Sequence, residues 1–163
     1  MKKISPSLVW LSVSTAILCG VWVALCSGWE MIAPKFYLLS WAGFASCTTY
    51  FSCGAHGLTG LRKTLCPNLA GVACGMAIFF LSGLLPAGGT WGVWCGVITF
   101  VMCIISHFKL FDFCPGTFMG CFCTFAAGGD WKHLIPSLIL GAILGLGCDF
   151  GGVWLHMMFG KKS

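Results

Sequence analysis

One acid in this chain sits where its presence demands a reason. Asp149 lies inside the apolar run Leu134–Phe159, and a carboxylate buried in a membrane-like span is costly enough to mark a functional site by default. Three roles are open to it: pairing with a histidine, holding a coupling cation, or hydrogen-bonding between helices in its protonated form. A second constellation is Pro115-Gly116-Thr117-Phe118-Met119-Gly120, just after Lys109 and Asp112. Proline suits the first turn of a helix. A short helix that starts within a membrane leaves backbone N–H groups unpaired there, with partial positive charge that attracts anions or polar solutes. The alternative is a proline-started helix at the interface with no ligand. A sequence counterpart begins around Ser40-Trp41-Ala42. Trp41, Phe44, Pro115, Gly116, Thr117, Phe118, Gly120 and Asp149 are therefore the expected solute path.

Other reactive residue types point less clearly to chemistry. Of twelve cysteines, Cys19, Cys47, Cys74, Cys95, Cys103, Cys121, Cys123 and Cys148 lie inside apolar runs, where a free cysteine acts as a small hydrophobe. Cys121 and Cys123 are two apart and diverge on a helix, and there is no Cys-x-x-Cys or His-rich tract, so no metal and no cofactor are expected. His107 and His156 near helix ends read as interfacial anchors or gates, and His56 and His133 as loop residues on opposite faces. Asp130 and Lys132 flank Trp131 as a solvated surface pair. No G-x-S-x-G, H-E-x-x-H or phosphate-binding loop occurs, so an enzyme is not expected.

The elements that must position these residues follow from hydropathy. The chain has 163 residues, 58% hydrophobic and 8% charged, against about 25% charged for an average soluble domain. A soluble protein of this size has no means of hiding so much apolar surface, whereas a lipid bilayer makes hiding it unnecessary. The net charge of +5 does not indicate nucleic acid, because the basic residues stand in ones and twos at the edges of apolar runs. Six such runs occur: Leu8–Trp29, Phe36–Cys53, Leu69–Leu85, Thr90–Phe108, Phe113–Ala127 and Leu134–Phe159. The first is longer than the roughly 7–15 residues of a signal-peptide core and is kept as a span. Phe113–Ala127 reaches only about 22 Å, short of a hydrocarbon core of about 30 Å. If all six cross and the N-terminus is inside, Lys2, Lys3, Arg62, Lys63, Lys109, Lys161 and Lys162 are cytoplasmic, and only Lys35 and Lys132 are outside. Making the second and fifth stretches re-entrant moves most loop charges outside, so the positive-inside rule favours six crossings with both termini cytoplasmic.

The chain also repeats itself. Phe44, Cys47, Phe51 and Gly54 align with Phe118, Cys121, Phe125 and Gly128; Leu65, Pro67 and Leu69 with Leu134, Pro136 and Leu138; Gly71 and Gly75 with Gly141 and Gly145. Three spans per half is an odd number, so the halves, about 8–86 and 90–159, are inverted within one transmembrane domain covering 1–163. Asp149 breaks the symmetry, because Phe79 and Phe80 occupy the aligned region. The fold class is thus an all-α integral membrane protein of about six helices, a 3+3 inverted repeat with short second and fifth helices. That architecture is typical of transporters and channels. Gly71/Gly75, Gly92/Gly96 and Gly141/Gly145 place small residues on one helix face, which predicts close helix packing within the chain or between copies. A homo-oligomer is expected, since a chain this small barely encloses a pore.

The runs Leu38-Leu-Ser-Trp-Ala-Gly-Phe44, Pro115-Gly-Thr-Phe-Met-Gly120 and Gly128-Gly-Asp-Trp-Lys132, with Pro136-Ser-Leu138, resemble the bacterial inner-membrane family typified by YcdZ. The resemblance covers most of the chain, from about Leu11 to Trp154. It implies a multi-span inner-membrane protein and supplies no activity and no functional residues. At the level of architecture, the short helix in an inverted repeat is also similar to urea and aquaporin-type facilitators, which is weak evidence about function. The leading expectation is a channel or facilitator for a small neutral or weakly anionic solute. The alternatives are an ion- or proton-coupled carrier using Asp149, and a non-transport assembly or regulatory protein.

Overall fold

The computed structural model describes residues 5–32, 35, 37–84 and 90–160. Six helices follow one another: α1 (Pro6–Ile32), α2 (Ser40–Ser52), α3 (Gly57–Leu84), α4 (Thr90–Ile105), α5 (Cys114–Ala126) and α6 (Trp131–Phe159). No strand occurs among the described residues. Lys2, Lys3, Lys161 and Lys162, which the expected topology places in the cytoplasm, lie outside the described residues.

Three helices, α1, α3 and α6, are long and apolar enough to cross a membrane, at 27, 28 and 29 residues. The second and fifth elements are short as expected, at 13 residues each, or roughly 20 Å. The fourth, at 16 residues, is also shorter than the roughly 20 residues of a full span. The start of α3 differs from expectation. It opens at Gly57, not Leu69, because Arg62, Lys63 and Thr64 interrupt the apolar run without interrupting the helix. Pro67 and Pro136 lie inside α3 and α6. A proline within a membrane helix is tolerated where neighbouring groups take up the freed polar atoms. The carbonyls left without an N–H are those of Lys63 and Lys132; the hydroxyls nearby bond other carbonyls, Thr64 Oγ1 donating to that of Gly60 at 2.9 Å and Ser137 Oγ to that of His133 at 2.7 Å.

The distribution of side chains is the reverse of a soluble protein's. Phe80, Phe100, Phe122, Phe150, Trp154 and Met157 are exposed, whereas Ser46, Thr49, Thr64, Asn68, Thr117, Thr124 and Ser137 are buried. Large apolar groups face outward and small or polar ones face the helix seams, as expected where the surroundings are lipid.

Two seams hold the bundle together, and both depend on glycine. Along α3 and α5, a methyl group on Gly71 would collide with the Thr117 carbonyl, one on Gly120 with the Asn68 carbonyl, and one on Gly75 would lie 2.7 Å from Thr124 Cβ. Along α6 and α2, a methyl on Gly141 would strike the Gly43 backbone and one on Gly145 would lie 2.8 Å from Tyr50 Cβ. These contacts advance together along both chains, so α3 runs parallel to α5 and α6 runs parallel to α2. α1 packs antiparallel on α6, with Ser14 Oγ donating to the Cys148 carbonyl at 3.1 Å and Trp10 stacked on Phe159. Trp22 Nε1 donates to the Ser40 carbonyl at 3.0 Å and ties α1 to the start of α2. α4 packs outside α3 and α5 through Met102, Cys95 and Ile98.

Gly71, Gly75, Gly141 and Gly145 are thus packing glycines, as expected. Gly92 and Gly96 pack on nothing within the chain, so of the two kinds of packing expected only that between copies is open to them. Nothing lies within 4 Å of a Cβ at either position, because that face of α4 points away from the bundle; Gly88, at the head of their stripe, is outside the described residues. Overpacking a filled seam costs about 1–3 kcal/mol, and more where backbone is struck. Gly71→Leu and Gly141→Leu are therefore expected to lose the monodisperse peak in detergent size-exclusion chromatography. Gly96→Leu is expected to keep the chain folded.

Candidate functional site

The site is built where the α2–α3 connection returns into the bundle. Gly54 and Gly57 adopt φ of 67° and 63°, a left-handed conformation that glycine enters at little cost. They turn the chain so that His56 and the first N–H of α3 meet Asp149 on α6. α3 has no acidic residue in its first turn. Asp149, from α6, supplies the negative charge instead: the Gly57 N–H donates to Asp149 Oδ2 at 3.3 Å, where the partial positive charge of a helix N-terminus favours an anion.

Two side chains complete the cluster. Tyr50 Oη, on the last turn of α2, donates to Asp149 Oδ2 at 2.8 Å, and His56 Nδ1 lies 3.0 Å from Asp149 Oδ1. An ionised carboxylate only accepts, so in that state His56 Nδ1 carries the proton. Hydrogen bonds to a charged group contribute about 1.5–3 kcal/mol each where they are buried, which sets Tyr50 above the exposed His56 among these donors. Asp149 is buried, whereas the His56 side chain is 79% exposed. Both line an open cavity of about 440 Å³ with Ser5, Ser7, Gly152 and His156. The cluster therefore has one face inside the bundle and one in contact with the surroundings.

The surroundings of Phe79, which the sequence alignment sets opposite Asp149, are built differently. Around Phe79, the α5–α6 connection brings up Gly129, and Phe79 packs with Trp91 and Phe125 at ring separations of 5.5 and 5.4 Å. One end of the bundle is closed by an aromatic cluster, and the other carries an ionisable one.

The expected path residues do not form one surface. Gly116, Thr117 and Gly120 are buried in the α3–α5 seam, with Gly116 against Pro67 and Thr49. Trp41, Phe44 and Phe118 are 37%, 37% and 42% exposed, and Pro115 is exposed too. They face outward because α2 and α5 turn their small residues to the seams, which leaves the aromatics for the exterior. A shallow depression of about 700 Å³ on the outer face of α5 is lined by Pro115, Phe118 and Phe122. At the centre, Asn68 Nδ2 donates to Ser46 Oγ at 3.1 Å, while Asn68 Oδ1 and Thr117 Oγ1 are buried without a partner.

Sequence reasoning found Asp149 but not Tyr50, His56 or Gly57. The available signal was the glycine bracket Gly54-Ala-His-Gly57, which marks a turn but not its direction. His133 lies in the first turn of α6, not in a loop, where it stacks on Tyr37 and meets Asp130 at 2.6 Å. Asp130 thus pairs with His133, while Lys132 lies over the Trp131 ring. The His133 hydrogen bond holds the Asp130 carboxyl below its usual range. That contact stabilises the fold above the ordinary carboxylate pKa and is lost as pH falls through the lowered value. Cys121 packs with Ile78 and Met102, and Cys123 with Ala42 and Val72, so the two diverge as expected.

Outward apolar groups, inward polar groups and three span-length helices define an all-α membrane protein. The chain belongs to the family described as "Protein of unknown function (DUF1097)", whose model matches residues 7–152. It is 43% identical over 154 residues to the "Inner membrane protein YcdZ" of Escherichia coli K12, covering 94% of this chain and 90% of that one. It is 40% identical over 146 residues to the protein of the same name in Salmonella typhimurium LT2, covering 89% and 87%. To the "Uncharacterized protein YahC" of E. coli K12 it is 28% identical over 157 residues, covering 88% and 94%. No solved structure matches it.

The geometry ranks the partners of Asp149. Tyr50→Phe removes a buried donor to the carboxylate and is expected to lower stability by about 1.5–3 kcal/mol. His56→Ala, at an exposed side chain, is expected to lower it by under about 1 kcal/mol. Unfolding in mixed detergent micelles, followed by circular dichroism, measures both.

Proposed function

We propose that this protein is a transporter of a small, neutral or weakly anionic solute across the bacterial inner membrane, gated by the proton state of the Asp149–His56 pair. The observation that carries the reading is the placement of that pair: a buried carboxylate bonded to an exposed imidazole on the wall of an open cavity. Histidine changes charge near physiological pH, and a carboxylate in a span is by default part of a solute or proton pathway.

Several features support the architecture this needs. In the proposed topology all six helices cross, both termini are cytoplasmic and the halves are inverted repeats. α2 and α5 have equal length, begin at aligned positions and are followed by aligned left-handed glycines, Gly54 and Gly128. Each packs on the third helix of the other half through aligned residues: Gly43 on Gly141 and Thr117 on Gly71, then Tyr50 on Gly145 and Thr124 on Gly75. Swapped packing of this kind favours rocking one half against the other around a central site. The unpartnered Asn68 Oδ1 and Thr117 Oγ1 lie at that centre and suit a solute that hydrogen-bonds. The tight seam favours a carrier over a permanently open path through one chain.

A passive channel formed by several copies is the second reading. It draws on the outward aromatics Trp41, Phe44 and Phe118 and on short helices that need neighbours to match the membrane.

Uptake of urea, ammonia, formate, acetate and glycerol into proteoliposomes, with and without a pH gradient, separates these readings. The expected result is uptake of one solute that the gradient accelerates, with Asp149→Asn reducing the gradient dependence by roughly tenfold, which corresponds to about 1.4 kcal/mol of coupling. Gradient-independent uptake that survives Asp149→Asn but is blocked by Phe118→Trp establishes the channel instead. No uptake above empty vesicles sinks both and leaves a non-transport membrane protein.

A further inference from the structure

The twelve cysteines are free thiols, and three of them converge. Cys19 on α1, Cys47 on α2 and Cys148 on α6 place their sulfur atoms within 4.8 Å of one another. They come from three different helices, so the convergence is a product of tertiary packing and not of sequence spacing. Cys148 is fully buried and Cys47 nearly so, while Cys19 is half-buried. A groove on the surface beside them is lined by Leu11, Ser12, Thr15, Ala16 and Phe51. Thr15 stands one helical turn before Cys19 on α1.

We propose that Cys19, Cys47 and Cys148 form a binding site for a soft, thiophilic metal ion, of which Cu(I) is the best fit. The donor set consists of sulfur alone, and thiolate sulfur selects Cu(I) over the harder divalent ions. Three donors suit a trigonal ion, whereas structural zinc is almost always held by four ligands. Asp149, the neighbouring hard ligand, is already bonded to Tyr50, His56 and Gly57. Each thiol that binds as a thiolate releases one proton to water, so binding weakens as the pH falls. No electron is transferred, since the ion enters and stays as Cu(I). The site is independent of whether a solute crosses the membrane.

The test is copper binding by the full chain in detergent micelles, purified without oxygen under reducing conditions and titrated with Cu(I) against a chromogenic Cu(I) chelator. One copper per chain with a sulfur-only X-ray absorption signature is expected. Cys47→Ser and Cys148→Ser are expected to weaken binding by at least about tenfold, whereas Cys66→Ser and Cys103→Ser leave it unchanged. Because a buried serine at position 148 risks misfolding, Cys19→Ser provides the second arm: it must weaken copper binding while its elution volume stays that of the unmodified chain. Unchanged affinity in Cys19→Ser and Cys47→Ser overturns the proposal. So does the absence of Cu(I) binding, or an anaerobically purified chain already lighter by two hydrogens from a disulfide within this trio.

Discussion

Backbone-to-backbone contact at glycine is the constraint on which the rest of this structure depends. In lipid, helices gain little by hiding apolar surface from one another, and close packing must hold them instead. Gly71 against the Thr117 carbonyl, Gly120 against the Asn68 carbonyl and Gly141 against Gly43 bring two short helices onto two long ones. α2 and α5 would each be too short to match a bilayer alone. Held in the seams, they are fixed against the long helices along their whole length, and each is followed by a left-handed glycine that reverses the chain.

Those connections create the polar chemistry. A chain reversal leaves the first N–H groups of the next helix without a backbone partner, and these require an acceptor. At the α2–α3 connection the acceptor is Asp149, joined by Tyr50 and His56. At the α5–α6 connection the surroundings are Phe79, Trp91 and Phe125. The same backbone plan is thus finished with an ionisable cluster at one end and an aromatic one at the other.

The family gives this chain its membrane setting without an activity. The relatives match over nearly their whole length, so the bundle described here is the region they share with it. Within it, the orphaned polar atoms of Asn68 and Thr117 lie in the α3–α5 seam and not at the lipid-facing surface. Such atoms cost about 1–3 kcal/mol each when left unpaired.

Much of this was written in the residues themselves. Composition alone placed the chain in lipid, hydropathy located all six helices, and four-residue glycine spacing identified Gly71, Gly75, Gly141 and Gly145 as packing positions. Asp149 was legible because a lone carboxylate in an apolar run is too costly to persist without a role. The start of α3 was not, since helix continuity through Arg62, Lys63 and Pro67 depends on neighbours that satisfy the backbone. Nor were the roles of Gly92 and Gly96, because spacing shows that residues share a face but not what that face meets. Tyr50, His56 and Asp149, and likewise Cys19, Cys47 and Cys148, are separated by long stretches of chain. Their convergence depends on which helices lie side by side and at what rotation, and only the tertiary structure decides that.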